Sequence, residues 1–267
     1  MAQLGGPQLA RQTGARTIPA TMARVALVTG ANSGIGYAIA ERLLRDGFAL
    51  GYATQGTGPE YEEPKRRLDK LGAVHWVSGD LGDPSVPERL VAETAKALGG
   101  LDVLVNNAGL TEAKPALELD AGDFDLLFSV DVRGAFLLSR AAARHMRGRG
   151  GGSIVNITSV HEHIPRPGFA LYASAKAALG MLTRSFALEL GGDQIRVNAV
   201  APGAIATERN VEADELDPEI PLGRPGKPEE VANLVSWLVS DEARYVTGVS
   251  YLIDGGMAIQ VVTRPAR

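Results

Sequence analysis

From about residue 23 onward, short apolar runs alternate with longer segments whose apolar positions recur at helical spacing. Val25-Ala26-Leu27-Val28 has the length and continuity of a strand buried on both faces, and the segment after it keeps a helical pattern through Arg45. Phe48–Ala53, Val74–Ser78, Leu101–Val105, Ser153–Ile157, Ile195–Val200 and Val249–Ile253 read as further strands. Val86–Leu98, Phe124–Met146, Tyr172–Leu190 and Pro228–Val239 read as helices between them. Strands that alternate with helices pair in parallel, because each crossover returns the chain to the same end of the sheet. The pattern therefore predicts an α/β fold: one domain with a doubly wound, parallel, seven-stranded sheet and helices on both faces. No internal repeat, low-complexity tract or linker calls for a second domain.

In such sheets ligands bind beyond the carboxyl ends of the strands, and the chain's polar and glycine clusters fall at those ends. After the first strand comes Thr29-Gly30-Ala31-Asn32-Ser33-Gly34-Ile35-Gly36, which opens a helix. The glycines let the backbone turn tightly and approach a pyrophosphate, whose charge meets the free N–H groups of the helix N-terminus. The spacing is Gly-x-x-x-Gly-x-Gly rather than Gly-x-Gly-x-x-Gly. The residue expected to meet an adenosine ribose stands at the end of the second strand, where Thr54 is followed by Gln55. A carboxylate there would bind the ribose 2′-hydroxyl and repel a 2′-phosphate, and none is present. That absence favours NADP(H), with NAD(H) possible; Lys65, Arg66 and Arg67 stand too far along the chain to decide the matter.

A second constellation lies between Ser159 and Lys176. Tyr172 and Lys176 are four residues apart, so on a helix the phenol and the ammonium share a face one turn apart. A free tyrosine ionises near pH ~10 and is a poor base at neutrality, whereas a neighbouring cation favours the phenolate. Tyr172 is then suited to take a proton from an alcohol or give one to a carbonyl, with Lys176 tuning it and Ser159 holding the substrate oxygen. The pair Tyr-x-x-x-Lys alone is common by chance; its weight comes from the glycine turn upstream.

Composition narrows the function. Net charge is -4 at pH 7 over 267 residues, which gives no basic field for nucleic acid or anionic lipid. The chain has no cysteine and only four scattered histidines, so thiol chemistry, disulfides and a metal cluster are not expected. No apolar run is long enough to span a bilayer, and a cytoplasmic home fits. Residues 1–22, rich in Gly, Ala, Thr and Gln and free of acids, read as a disordered extension, with Met22 a possible start; the folded domain is expected over 23–267.

Together these motifs resemble the short-chain dehydrogenase/reductase family over about residues 23–258. The matching residues are Thr29, Gly30, Gly34 and Gly36; Asp80; Asn106-Asn107-Ala108-Gly109; Ser159, Tyr172 and Lys176; and Pro202-Gly203 followed by Thr207. Ser159 precedes Tyr172 by thirteen residues, as in the family. The resemblance implies a Rossmann fold and hydride transfer between NAD(P) and an alcohol or carbonyl. It implies that Asp80 and Leu81 meet the adenine, that Asn107, Ala108 and Gly109 line the cofactor, and that Pro202, Gly203, Ile205 and Thr207 hold the nicotinamide amide. Lys176 would also bind the nicotinamide ribose, and Asn32, Ser33 and Ile35 would belong to the phosphate turn.

The family's usual asparagine, forty-one residues before the tyrosine, is here Asp131. An aspartate accepts the same hydrogen bonds but donates none, and its charge would pair with Lys176 or, alternatively, with Arg133 or solvent. The expectation is a proton relay that survives with an altered pH dependence. Within the family, Ser159-Val160-His161-Glu162, Pro202-Gly203-Ala204-Ile205 and Asp254-Gly255-Gly256-Met257 are similar to glucose 1-dehydrogenases. By that likeness His161 and Asn210 would touch a sugar hydroxyl, although Thr111 replaces a glutamate and the lid segment Thr207–Ile220 is shorter. A second reading is a 3-oxoacyl-carrier-protein reductase, with Arg166, Arg209 and Arg224 facing an acidic carrier; a third, from another class, is a cofactor-sensing regulator without chemistry. Relatives form dimers and tetramers through the helices around Phe124–Met146 and Tyr172–Leu190, so a homotetramer is expected.

Overall fold

The computed structural model describes residues 23–208, 210 and 220–260. The expected extension 1–22, Arg209 and most of the lid segment therefore lie outside the described residues. Strand β1 (Val25–Thr29) is central, with β2 (Ala49–Thr54) and β3 (Val74–Ser78) on one side. On the other side lie β4 (Val103–Asn106), β5 (Gly152–Ile157), β6 (Ile195–Pro202) and β7 (Ser250–Ile253). Every pairing is parallel and the order is β3-β2-β1-β4-β5-β6-β7. The chain winds outward from β1 in one direction, then crosses back to β4 and winds in the other. The carboxyl ends of β1 and β4 thus flank the point where the order reverses, and a crevice opens there.

The central strands are mostly apolar because both faces are covered, whereas the edge strands β3 and β7 are only partly buried. Ala26 and Val28 pack toward Ile39 and Leu43 of helix α1 (Gly34–Arg45) and Val231, Val235 and Leu238 of α7 (Pro228–Val239). Val25 and Leu27 pack the other way, toward Leu90 and Val91 of α3 (Val86–Leu98), Leu138 and Met146 of α5 (Ala135–Arg147) and Ala187 of α6 (Ala170–Leu190). Each such leucine removed from water contributes about 1.5–3 kcal/mol. Among the described residues no helix is long and apolar enough to cross a membrane.

Three features depart from the sequence pattern. Helix α2 (Pro59–Leu68) was masked by its prolines: Pro59 suits the first helical position, while Pro64 lacks the N–H that would continue the ladder. Phe124–Met146 is not one helix but α4 (Ala121–Phe128), a wide π-turn over Ser129–Gly134, and then α5. That turn carries Asp131 into the protein, where it is buried. Strand ends also shift by one or two residues; β4 begins at Val103, β7 at Ser250, and β6 runs on to Pro202.

Candidate active site

The floor of the crevice is a clasp between β1 and β4. Thr29 Oγ1 accepts 3.0 Å bonds from the backbone N–H groups of both Asn107 and Ala108, while Asn107 Nδ2 donates back to the Thr29 carbonyl at 2.9 Å. The turn beyond Thr29 needs glycine. Gly30 and Gly34 have φ of 62° and 52°, and a Cβ on Gly36 would collide with the Gly30 carbonyl. Ser33 forms no side-chain cap on α1, so the first N–H groups of that helix stay available to a ligand.

A single cleft of about 750 Å³ starts at this turn. Asn32, Ser33, Gly34 and Ile35 line one part of it; Thr54, Gln55, Asp80 and Leu81 line the next; Asn107, Ala108 and Gly109 form the middle. The glycine cradle, the uncapped helix end and the volume suit a dinucleotide, which these residues can hold. Thr54 does reach the cleft, but its hydroxyl is already engaged: it accepts from Trp76 Nε1 and donates to the Gly56 carbonyl, both at 2.7 Å. Tyr61 of α2 joins this wall, a contribution hidden with its helix. Lys65, Arg66 and Arg67 form ion pairs along α2 with Asp69, Glu62 and Glu63 and do not line the cleft.

At the far end the cleft is lined by Ser159, His161, Tyr172 and Lys176, with Pro202, Gly203, Ile205, Thr207 and Asn210 opposite. Ser159 follows β5 and caps the short Val160–Glu162 turn, its Oγ accepting from the His161 N–H at 3.2 Å. Its own O–H is thereby left to donate. Helix α6 carries both Tyr172 and Lys176, and the ammonium lies 5.5 Å from the Tyr172 ring centre. His161 stands edge-on to Tyr172 and stacked on Phe169. His161 Nδ1 lies 3.1 Å from the Ile164 carbonyl, which can only accept; Nδ1 therefore holds the proton and Nε2 is an acceptor. Burial pushes this ring below the usual histidine value, so it stays neutral at physiological pH. Asn210 reaches the cleft, but its side-chain N–H is turned to the Ile205 carbonyl. Met257, from the 3₁₀ turn after β7, also lines the cleft, its sulfur accepting from the Ala204 N–H at 3.4 Å.

Asp131 is the one candidate behind the wall rather than on it. One carboxylate oxygen accepts from the Leu110 N–H at 2.8 Å and the other lies 3.0 Å from Lys176 Nζ. Arg133, the competing partner, is instead bonded to the Gly82 carbonyl. A Cβ at Gly109 would sit 2.8 Å from Asp131 Oδ2 and 3.1 Å from Lys176 Nζ, so glycine there makes room for the pair. Lys176 also donates to the Ile157 carbonyl at 3.3 Å. Burial alone would push the Lys176 ammonium down, but the charges of Asp131 and of an ionised Tyr172 outweigh it and hold the pKa above the ordinary lysine value. Because the shift is upward, the stability it supplies is whole at neutral pH and is lost only as pH rises through the folded-state pKa. Asp131→Asn keeps the acceptor for Leu110 and removes the charge. Lys176 should then lose its proton at lower pH, and the alkaline limb of the pH–rate profile should move to lower pH; an unchanged profile would count against any role for Asp131.

A family model described as enoyl-(acyl carrier protein) reductase matches residues 30–258. The oxidoreductase YohF of Escherichia coli strain K12 is 44% identical over 247 residues, covering 89% of this chain and 97% of that protein. Glucose 1-dehydrogenase 2 of Bacillus subtilis strain 168 is 38% identical, covering 88% of this chain and 95% of that protein. Among solved structures, acetoin dehydrogenase YohF from Salmonella typhimurium superposes with a TM-score of 0.85 at 42% identity, over 92% of this chain and all of the other. With one sheet topology, one crevice and these matches along nearly the whole chain, the protein is an oxidoreductase that belongs to the short-chain dehydrogenase/reductase family.

Proposed function

We propose that the protein interconverts a secondary alcohol and its carbonyl, the substrate bearing a second hydroxyl beside the reacting carbon, with Tyr172 as general acid–base. The observation that carries this reading is the convergence of Ser159, His161, Tyr172 and Lys176 in the cleft that begins at the glycine turn. A nicotinamide dinucleotide held in this cleft would supply the hydride acceptor or donor. Around it Gly30, Asn32 to Gly36 and the N-terminus of α1 receive the pyrophosphate; Thr54, Gln55, Asp80 and Leu81 enclose the adenosine; Asn107 to Gly109 and Pro202 to Thr207 frame the nicotinamide end. NADP(H) is favoured, because no carboxylate stands at the end of β2 to repel a 2′-phosphate.

In the oxidative direction the Tyr172 oxygen accepts the proton of the substrate hydroxyl while Ser159 donates a hydrogen bond to the same oxygen. The Lys176 ammonium lies beneath the Tyr172 ring and can hold the nicotinamide ribose; Asp131 keeps that ammonium charged. His161 Nε2, a fixed acceptor on the cleft wall, suits a donor on the substrate, and an adjacent hydroxyl provides one. Acetoin and glucose, which two of the relatives are named for, both carry such a hydroxyl. A carrier-protein reductase is less well supported. Arg224 is bonded through both nitrogens to Glu230, whose carboxyl it holds at about 2, and Arg209 lies outside the described residues. Only Arg166 remains at the cleft wall. A sensor without chemistry would not need Tyr172 and Lys176 in the cleft.

We further propose a homotetramer. Phe124 and Leu126 of α4 and Met181 and Leu188 of α6 are large apolar side chains left exposed, Leu188 at 87%. Their exposure on the helices that bear the site suits burial against further copies. Light scattering should give four times the mass of the chain, and a monomer would refute this.

The function is tested by following reduced-nicotinamide absorbance with NADP+ or NAD+ and the vicinal butanediol or D-glucose, and with NADPH or NADH and acetoin, beside NADPH or NADH with an acetoacetyl thioester. Turnover of the hydroxylated substrates is expected, and Tyr172→Phe should lower kcat about a hundred- to ten-thousand-fold with dinucleotide affinity retained in calorimetry. Turnover of the thioester alone would move the protein to the acyl reductases, and a Tyr172→Phe variant as active as the native protein would remove Tyr172 from the chemistry.

A further inference from the structure

The turn that presents Ser159 and His161 ends on a carboxylate that the chemistry above does not use. Glu162 does not line the cleft, and only 4% of its side chain is exposed. Its Oε2 accepts a 2.9 Å bond from Ser250 Oγ at the start of β7, with His163 Nε2 3.8 Å away. Its Oε1 is buried without a hydrogen bond and has the Arg184 guanidinium of α6 at 3.8 Å. The carboxylate fits only because residue 180, one turn beyond Lys176, is glycine; a Cβ there would collide with Oε1. A buried carboxylate so thinly partnered is costly to keep, so a plain packing role would be served better by an apolar side chain.

What Glu162 does achieve is attachment. The turn is internally stiff: the Glu162 N–H donates to the Ser159 carbonyl at 2.8 Å, and the Ser159 hydroxyl accepts from the His161 N–H. Holding its last residue therefore holds its first. We propose that Glu162 is a positioning residue: braced on Ser250 of β7 and seated in the gap at Gly180 of α6, it fixes Ser159 and His161 relative to Tyr172 and so sets the preference for a substrate with two adjacent hydroxyls. This rests on the reading of Ser159, His161 and Tyr172 given under the proposed function. A simple secondary alcohol needs only the Ser159–Tyr172 pair, whereas a vicinal diol also needs His161, so slack in the turn costs the diol more.

The test compares the vicinal butanediol with the simple secondary butanol. Glu162→Ala should lower the ratio of their kcat/KM values about tenfold or more, with dinucleotide Kd changed less than about twofold. Glu162→Gln, which keeps the volume and an acceptor for Ser250, should hold the ratio within about threefold of native. Gly180→Ala, by displacing the carboxylate, should reproduce Glu162→Ala and add little to it in the double variant. Ser250→Ala, which leaves no large void, serves if Glu162→Ala folds poorly; it should lower the ratio in the same direction by about threefold. A native ratio in either truncation, a Gln variant as poor as the Ala variant, or independent effects of Gly180→Ala and Glu162→Ala would overturn the proposal. If the native protein turns over neither alcohol, the functional reading fails, and the brace is judged by amide hydrogen exchange over residues 159–164. Exchange about tenfold faster in Glu162→Ala supports it, and unchanged exchange overturns it.

Discussion

A lysine ammonium buried beneath a tyrosine is tolerable only if an opposite charge comes with it. Lys176 and Asp131 meet at 3.0 Å with almost no exposure, and leaving either unpaired would cost about 3–5 kcal/mol. Much of the surrounding structure serves this one contact. The π-turn between α4 and α5 carries Asp131 inward, Gly109 leaves the space, and the Leu110 N–H and Ile157 carbonyl take the remaining bonds. The pair is also what offsets the desolvation that would otherwise lower the pKa of the cation beside Tyr172.

The sheet topology places that pair where it is useful. Reversal of strand order between β1 and β4 opens the crevice, and the Thr29–Asn107 clasp closes its floor so that the glycine turn and the end of β4 form one surface. Helix α6, packed against that half of the sheet, delivers Tyr172 and Lys176 to the same cleft from a distant part of the sequence. The division of labour follows from the fold: the first half of the chain supplies a cradle made largely of backbone and glycine, and the second half brings Ser159, His161, Tyr172 and Lys176 to the cleft.

Most of this architecture was legible in the sequence because the covered central strands read as apolar runs, and because the turn after β1 needs glycine where φ is positive, at Gly30 and Gly34, or where a Cβ would collide, at Gly36. Gly30, Gly34, Gly36, Ser159, Tyr172 and Lys176 all belong to such local patterns, and the structure brings them to one cleft. What remained hidden depends on packing over long range. The prolines of α2 concealed a helix that contributes Tyr61, and helical periodicity could not reveal a π-turn that adds a residue without breaking the apolar pattern. Whether Asp131 would pair with Lys176 or Arg133 was likewise open, since Arg133 is its neighbour along the chain and Lys176 comes near only through the fold; the inward turn of the backbone decides it. Thr54 shows the opposite limit: its place at the end of β2 was correct, but the engagement of its hydroxyl by Trp76, twenty-two residues on, leaves no local trace.

Lys176 remains an ammonium because Asp131 opposes it. Heteronuclear NMR of side-chain-labelled lysine in the native protein measures this directly. The Lys176 Nζ resonance should titrate above the ordinary lysine value of about 10.4. Titration at or below that value would mean that desolvation dominates, that the pair does not hold its charge, and that the role given to Asp131 is wrong.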